Sequence, residues 1–244
     1  MIKPHRRSPV NGIYSRYIKR LIDILCALLT MILFFWLYGI VALLVRINLG
    51  GPVIFKQPRP GKIDPKTGEE KIFTLFKFRT MTDEKDENGK LLPDSVRLTR
   101  FGKLLRSTSL DELPEVLNIL TGHMSVIGPR PQLVRDMVFM TDEQRRRHLV
   151  RPGLSGLAQV SGRNALAWEV KLRIDLEYIE RISFREDFKI VLKTIYKMFK
   201  RDPEVNEIDI CDDFGDYLLK EKKVTLECYQ QKQRHAAELL KNVS

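Results

Sequence analysis

The longest apolar stretch of the chain lies near its N-terminus. Residues 24–45, with the sequence ILCALLTMILFFWLYGIVALLV, contain no charged side chain. A helix of this length would measure roughly 33 Å, enough to cross a hydrocarbon core of about 30 Å. The run is too long for the apolar part of a signal peptide, and no small-residue cleavage site follows it. The pattern therefore predicts a membrane helix over residues 21–46.

Basic residues flank this helix on both sides. They are Lys3, Arg6, Arg7, Arg16, Lys19 and Arg20 before it, and Arg46, Lys56, Arg59 and Lys62 after it. Because positive charge marks the cytoplasmic side, both flanks favour the cytoplasm. A re-entrant helix satisfies both flanks and a spanning helix only one, so we expect re-entrance, with a plain span as the alternative. Gly39 is the one residue of the run that loosens the helix, and we expect Asp23 to form an interfacial ion pair with Lys19 or Arg20.

The pattern after the membrane helix predicts mixed secondary structure. Residues 51–61 and 71–81 are rich in β-branched and aromatic residues and enclose a polar loop, which predicts a β-hairpin. A short basic helix or turn that leads to the acidic pair is expected within 95–109. Residues 125–136 contain Pro129 and Pro131 and are predicted to form a rigid connector. Residues 150–164 contain three glycines and are predicted to form a loop that lets backbone approach a ligand.

Two amphipathic helices are predicted next. Residues 168–182 place Trp168, Leu172, Leu176 and Ile179 on one face. In residues 184–201, one side carries Phe188, Val191, Leu192, Ile195 and Phe199, and the other carries Lys189, Lys193, Lys197 and Lys200. Such a helix lies either on an anionic membrane surface or in the core with a solvated lysine face. The pattern leaves both interpretations open.

The composition changes near Pro203. Residues 204–244 hold nine acids and six bases, whereas the whole chain carries a net charge of +11. We therefore predict a basic N-terminal arm (1–20), a re-entrant membrane helix (21–46), a cytosolic interfacial domain with a small β-hairpin (47–203) and an acidic C-terminal extension (204–244). We expect the extension either to pack on the domain as a helix or to contact a partner. The fold class is α+β, mainly helical.

The positive charge indicates an anionic partner, which could be nucleic acid, a membrane surface or a phosphorylated substrate. Aromatic residues are not interleaved with the basic clusters, so we expect no nucleic-acid partner. The cysteines and histidines show no metal-ligand spacing, which argues against zinc. Three cysteines without paired spacing indicate a reducing compartment.

Two adjacent carboxylates, Asp111 and Glu112, interrupt the basic sequence. One interpretation is structural: Ser109 could be the N-cap of a capping box, or Asp111 could be the N-cap with Pro114 at the third helical position. The other interpretation is a reaction centre. A carboxylate can attack phosphorus beside a second carboxylate and Mg²⁺, and Arg106 could bind phosphate oxygens. The spacing leaves both interpretations open.

The chain resembles the bacterial sugar transferase family, the small monotopic phosphoglycosyl transferases that start lipid-linked glycan assembly. The matching stretches run in family order from residue 19 to about residue 200. They are KRLIDILCALL (19–29), GPVIFKQPRPG (51–61), FKFRTM (76–81), RLTRFGKLLRSTSLDELPEVLNIL (97–120), GHMSVIGPRPQL (122–133), RRHLVRPGLSGLAQVSGRN (146–164) and the helix that begins at Trp168.

The resemblance implies that the chain transfers a sugar 1-phosphate from a nucleotide sugar to a polyprenyl phosphate and releases UMP, through a phosphosugar held covalently on Asp111. The substrates would be a UDP-sugar and a polyprenyl phosphate such as undecaprenyl phosphate, and the cofactor would be Mg²⁺. The enzyme would lie at the bacterial inner membrane, with its catalytic domain (47–203) on the cytoplasmic face against anionic lipids. The resemblance leaves open whether the protein forms a homodimer. The alternatives are a non-catalytic adaptor that binds anionic lipid and an aspartyl-phosphate hydrolase without a lipid acceptor.

The resemblance also implies roles for individual residues. Asp111 matches the family's nucleophile. Glu112 matches its partner acid, which would support the metal together with Asp111 or handle protons. Arg106 and Arg79 match phosphate-binding positions. Arg130 and Pro131 would contact the nucleotide.

The chain departs from the family at one place in the membrane helix. The family usually breaks this helix with a Ser-Pro pair, whereas Phe35 and Trp36 occupy that place here. We therefore expect Gly39 to supply the bend.

Overall fold

Helices make up most of the chain, and two short sheets complete it. The structure, a computed structural model, describes residues 9–162, 167–199 and 212–241. The helices are α1 (Lys19–Leu49), α2 (Asp94–Arg97), α3 (Arg100–Ser107), α4 (Glu115–Leu120), α5 (Val134–Met137), α6 (Asp142–Arg145), α7 (Leu157–Gly162), α8 (Trp168–Glu180), α9 (Phe184–Phe199), α10 (Phe214–Lys220) and α11 (Leu226–Lys241). The strands are β1 (Ile54–Ile63), β2 (Glu70–Phe78), β3 (Ser125–Ile127) and β4 (Gly153–Ser155). The predicted class, mainly helical α+β, is confirmed.

The predicted hairpin is present as the antiparallel pair β1 and β2. The register pairs Ile54 with Phe78, and an irregularity follows Pro60. Alternate residues of β2 are buried, among them Phe73, Leu75 and Phe78. Because side chains alternate between the two faces of a strand, this pattern presents one apolar face of the hairpin to the helices.

A second, parallel pair joins β3 to β4, where the sequence predicted a connector and a loop. The predicted loop over residues 150–164 is wrong in its conformation, because β4 and α7 occupy most of it and Gly153 and Gly156 pack against the Gly128 backbone. The approach of this backbone to a ligand stays a prediction. A Cβ at Gly153 would lie 2.0 Å from the Gly128 nitrogen, and one at Gly156 would lie 2.2 Å from the Gly128 oxygen. Only residues without a side chain permit this approach.

Helix α1 is longer than predicted and has no break. A 3₁₀ turn (Pro9–Asn11) and a π-helical turn (Tyr14–Ile18) precede it, and helical structure continues through Gly39. The segment from Tyr14 to Leu49 is long and apolar enough to cross a membrane. Gly39 therefore does not interrupt the helix, contrary to expectation.

One face of α1 packs on the rest of the protein and the other is bare. Ala27, Val41 and Val45 are buried against the hairpin and neighbouring helices. The large apolar side chains of the outer face are exposed: Leu21, Leu25, Leu28, Leu29, Ile32, Leu33, Phe34, Phe35, Trp36, Ile40, Leu43, Leu44 and Ile47. A continuous apolar surface of this size marks a membrane or protein contact.

The expected ion pair of Asp23 is wrong. Its Oδ1 accepts hydrogen bonds from the Ser125 hydroxyl and the Val126 N–H, both at 2.9 Å. Lys19 pairs instead with Asp187, with 2.5 Å between Nζ and Oδ2. Asp23 thus joins α1 to β3 through uncharged donors on Oδ1, while its buried Oδ2 has no hydrogen-bond partner in the described part of the chain.

The two amphipathic helices differ in what they bury. In α8, Trp168, Leu172 and Ile179 are buried as predicted. In α9, Ile190 is buried, but the large apolar side chains Phe184, Phe188, Leu192, Ile195 and Tyr196 are exposed. The interpretation of α9 as an ordinary core helix is therefore wrong for this face. Lys200 and the Phe199 side chain lie outside the described residues.

The C-terminal extension packs on the domain. Phe214 of α10 is buried against Phe139 and Trp168, and Ala236 of α11 is buried against α5. The Asp136 carboxylate also accepts a hydrogen bond from the Phe214 N–H at 2.9 Å. The predicted boundary near Pro203 and the arm residues 1–8 lie outside the described residues.

The glycine contact gives a stability prediction. Gly153→Ala should lower the free energy of unfolding by about 1–3 kcal/mol, because the added methyl group has no room beside Gly128. Gly39→Ala is the matched control. A Cβ there meets nothing within 4 Å, and alanine should stabilise the helix by about 0.5–1 kcal/mol. Thermal unfolding in detergent micelles measures both, and a wild-type melting temperature for Gly153→Ala would contradict the packing described.

Candidate active site

The acidic pair lies on a single 3₁₀ turn, Leu110–Glu112, between α3 and α4. Ser109 before it adopts the left-handed conformation with φ of 55°. Both capping interpretations are wrong, because no side chain caps this turn or α4, and Pro114 directly precedes the first residue of α4. The Asp111 and Glu112 side chains are therefore free of the capping role.

Glu112 is held by two cations. Its Oε1 accepts hydrogen bonds from Lys77 Nζ and from Arg130 Nη2, both at 2.8 Å. Burial opposes ionisation, but the Arg130 and Lys77 charges outweigh it and lower the pKa of Glu112. Its Oε2 makes no hydrogen bond to the residues that the structure describes, so this oxygen is available to a ligand.

Lys77 also contacts a third acid that the sequence analysis missed. Its Nζ lies 3.1 Å from Oε1 of Glu115, which is buried. Burial raises the pKa of Glu115, and the Lys77 charge opposes that rise. A signal was present in the sequence: Glu115 follows Glu112 by three residues, and Lys77 is a cation inside an aromatic strand.

Asp111 is buried without a bonding partner. Its side chain makes no hydrogen bond or ion pair within the described part of the chain. Burial raises the pKa of Asp111, with Lys77 and Arg106 opposing the rise and Glu112 adding to it. A carboxylate near cations but bound to none keeps its lone pairs available for attack on an electrophile.

Asp111 lines a large open cleft. The cleft has a volume of about 1310 Å³, and Glu112, Arg106 and Arg130 also line it. Its apolar wall includes Cys26, Ala27, Thr30, Phe34 and Leu37 of α1 together with Val191 and Ile195 of α9. The cleft therefore joins a charged centre to an apolar wall that is continuous with the outer face of α1.

The predicted phosphate-binding arginines differ in their surroundings. Arg106 donates from Nε to the Thr80 hydroxyl at 3.0 Å. Arg79 is buried, and its guanidinium binds the carbonyl oxygens of Gly51 and Met81 and the carboxylate of Asp83. Both arginines line the cleft, and their phosphate-binding roles stay predictions.

The segment predicted to contact the nucleotide is fixed through its backbone. The Arg130 carbonyl accepts a hydrogen bond from Arg147 Nη2 at 2.6 Å, and Arg147 in turn pairs with the buried Asp175. The Pro131 carbonyl accepts one from Arg59 Nη1 at 3.0 Å. The Arg130 side chain thus reaches Glu112 from a held backbone, while nucleotide contact by Arg130 and Pro131 stays a prediction.

The acidic residues fit a metal only in part. In the described ranges, no group of three or more His, Cys, Asp or Glu residues could hold a metal ion. Magnesium is usually bound by one or two carboxylates together with substrate phosphates and water. The Asp111 carboxylate and Glu112 Oε2 suit such a site, which the substrate would complete.

Comparison with known proteins identifies the family. The family model for bacterial sugar transferases matches residues 14–201, and the chain belongs to this family, as the sequence motifs predicted. The sugar transferase EpsL of Bacillus subtilis (strain 168) is 46% identical over 181 residues, which cover 74% of this chain and 87% of that protein.

Two further relatives are named by their reactions. The UDP-glucose:undecaprenyl-phosphate glucose-1-phosphate transferase of Klebsiella pneumoniae is 39% identical over 79% of this chain and 42% of its own length. The UDP-N-acetylgalactosamine-undecaprenyl-phosphate N-acetylgalactosaminephosphotransferase of Aeromonas hydrophila is 39% identical over 76% of this chain and 44% of its own length. The chain thus spans less than half of these two proteins.

The site predicts opposite stability effects for its two adjacent acids. Because burial raises the pKa of Asp111, its ionisation at neutral pH destabilises the fold, and Asp111→Asn should raise the melting temperature. Because cations lower the pKa of Glu112, its ionised form stabilises the fold, and Glu112→Gln should cost about 1.5–3 kcal/mol.

Thermal unfolding of both variants across pH measures these effects. The gain from Asp111→Asn should vanish below the ordinary pKa of aspartate, where the carboxyl is protonated in both states. The stability that Glu112 contributes should be fully present above the ordinary pKa of glutamate and should decline progressively as the pH falls from there through its lowered pKa. Destabilisation by Asp111→Asn at neutral pH would show that the carboxylate has a partner.

Proposed function

We propose that this chain transfers a sugar 1-phosphate from a UDP-sugar to polyprenyl phosphate, releasing UMP and giving polyprenyl diphosphate sugar. This would be the first membrane step in the assembly of a bacterial glycan, such as an exopolysaccharide. The observation that carries the proposal is the buried, unbonded Asp111 carboxylate in a cleft that combines cations with an apolar wall. Membership of the bacterial sugar transferase family and the named reactions of the relatives support it.

The reaction would proceed by two displacements at one phosphorus atom. In the first, an Asp111 oxygen attacks the β-phosphorus of the UDP-sugar, and the bond from that phosphorus to the bridging oxygen breaks to release UMP. The phosphosugar then stays on Asp111 as a mixed anhydride. In the second, a phosphate oxygen of polyprenyl phosphate attacks the same phosphorus and regenerates the carboxylate.

The charges around Asp111 suit this chemistry. Arg106 and Arg130 line the cleft and can offset the charge of a diphosphate near the nucleophile. Arg130 and Lys77 hold Glu112 beside the attacking residue. Asp111 and Glu112 Oε2 would hold Mg²⁺, which would supply positive charge to the phosphates of the substrate.

The apolar part of the cleft suits the lipid acceptor. Thr30, Phe34 and Leu37 of α1 line the same cleft as Asp111, and Phe34 is also exposed on the outer face of the helix. A polyprenyl chain could therefore run from the bilayer along α1 and bring its phosphate to Asp111.

We place the enzyme on one face of the membrane, with both ends of α1 in the cytoplasm. From Lys19 to Val45 the helix rises about 39 Å, more than the hydrocarbon thickness of about 30 Å. Yet Lys19 contacts Asp187, and Val45 packs near Phe78, both in the same domain. A spanning α1 would draw that domain through the bilayer. A monotopic placement, with the outer face of α1 in one leaflet, avoids this.

Helix α9 supports the same placement. Its exposed apolar side chains begin at Phe184, whose ring contacts Tyr14 in the turn before α1, with 6.2 Å between centroids. Lysines follow along the helix, including Lys193, which is exposed. An apolar face beside lysines suits contact with anionic inner-leaflet lipids.

UMP release tests the proposed function. The purified chain should release UMP when it is given undecaprenyl phosphate, Mg²⁺ and one member of a panel of UDP-sugars. Binding to anionic vesicles without UMP release from any sugar would favour the lipid-binding adaptor. Release of free sugar phosphate into water would favour the hydrolase.

The nucleophile can be tested without the acceptor. With UDP-sugar labelled in the β-phosphate, wild-type protein should retain label and release one equivalent of UMP, whereas Asp111→Asn should retain none and lose at least 10³-fold in turnover, on the order of the cost of removing a nucleophile. The control is Asp142→Asn, which changes an exposed aspartate outside the cleft. Near-normal turnover by Asp111→Asn would end the covalent proposal.

The topology can be tested with thiol labelling. Asn11→Cys and Ser95→Cys are introduced in a background in which Cys26, Cys211 and Cys228 have been replaced. An impermeant thiol reagent should label neither site in intact cells and both after the membrane is opened. Labelling of the first site alone in intact cells would establish a spanning helix.

A further inference from the structure

Helix α1 contacts the segment that carries the acidic pair through hydrogen bonds as well as apolar packing. The Tyr38 hydroxyl donates to the Leu113 carbonyl at 2.9 Å. Leu113 directly follows Glu112 and links the 3₁₀ turn to α4. The same carbonyl accepts a backbone hydrogen bond from the Val116 N–H at 3.2 Å, so Tyr38 adds a contact from α1 at the point where the turn passes into α4.

A second contact holds the other end of α4. Arg20 donates from Nη1 to the Ile119 carbonyl at 2.5 Å and from Nη2 to the Leu120 carbonyl at 2.8 Å. These carbonyls belong to the last turn of α4, where helical N–H partners run out and a positive charge is favoured by the helix dipole. Two residues of α1, separated by most of its length, thus hold both ends of one short helix.

The opposite side of α4 is fixed to the hairpin. Asn118 accepts a hydrogen bond from the Phe76 N–H at 3.1 Å and donates one to the Thr74 carbonyl at 2.7 Å. Glu115 faces Lys77 of the same strand. Helix α4 therefore lies between the hairpin and α1, and the position of its N-terminal end depends on contacts from both.

We propose that the membrane helix is part of the catalytic apparatus, with Tyr38 and Arg20 as positioning residues for Asp111 and Glu112. The part of this inference that concerns catalysis rests on the proposed function. Insertion into lipid would require only the apolar outer face of α1. The inner face carries, in addition, a hydroxyl that binds the Leu113 carbonyl before α4 and a guanidinium that binds the carbonyls of its last turn. These contacts make the location of the nucleophile depend on the docked helix.

Tyr38→Phe tests the contact beside the acidic pair. It removes one oxygen and leaves the ring that packs near Phe78. The kcat for UMP release should fall about 3- to 10-fold, the cost expected for one hydrogen bond, while the KM for UDP-sugar stays unchanged. The matched control is Tyr17→Phe, since the Tyr17 hydroxyl makes no hydrogen bond within the described residues and its side chain is exposed.

Arg20 is tested in the same way. Arg20→Gln should lower kcat, and Arg20→Lys should restore part of it, because a lysine can still reach one carbonyl. The control is Arg16→Gln, which removes an exposed arginine from the same stretch. A purely structural role would lower the fraction of active enzyme without changing kcat per labelled active site, so active sites are counted with the covalent label.

Hydrogen exchange gives a readout that is independent of activity. Peptides covering residues 110–121 should exchange faster in Tyr38→Phe and Arg20→Gln than in wild type, with no change in the two controls. Wild-type kcat and wild-type exchange in both variants would overturn the inference. If the wild-type protein releases no UMP with any UDP-sugar, the proposed function fails, and faster exchange in the variants would still support the positional role of α1.

Discussion

The site depends on one lysine placed between two carboxylates. Lys77 reaches from β2 to Glu112 and Glu115, and burial makes each of these acids costly unless a cation is near. Arg130 supplies the second positive charge to Glu112. With both cations committed to these neighbours, Asp111 remains ionisable yet unbonded. The hairpin, the turn of the acidic pair and α4 are consequently fixed relative to one another by charge as well as by packing.

The sequence predicted those elements whose pattern depends only on the surroundings of one segment. The uncharged run of 24–45, the alternation in β2 and the 3.6-residue period of α8 each reflect the surroundings of a single segment. The motifs around Asp111 also predicted the family. The partners of these residues were not predictable in this way, because Lys77 lies 35 residues from Glu112 along the chain. The partner of Asp23 was also not predictable from local sequence, because Asp23 binds the distant Ser125 and not the neighbouring cations. Nor was the parallel pairing of β3 with β4, which brings distant glycines together.

The two faces of α1 differ in polarity and in what they contact. Its outer face is apolar over nearly its whole length, whereas its inner face places Lys19, Asp23 and Tyr38 against specific polar partners of the domain. Apolar packing alone fixes a helix loosely in rotation and register, and hydrogen bonds to defined atoms remove that freedom. Docking of α1 on the domain therefore uses one surface of the helix and leaves the other, apolar surface for a membrane or protein contact.

Trp168 connects the cleft to a segment that lies outside the family-matched part of the chain. It lines the cleft and packs on Phe214, with 5.0 Å between ring centroids, while its Nε1 donates to the Asp212 carbonyl at 2.9 Å. The family match ends at residue 201, so this wall of the cleft is supported by a segment outside it. Divergence of that segment can reshape the wall without touching Asp111, Glu112 or their cations. The shape of this wall and the charges around the acidic pair can in this way evolve separately within one small enzyme.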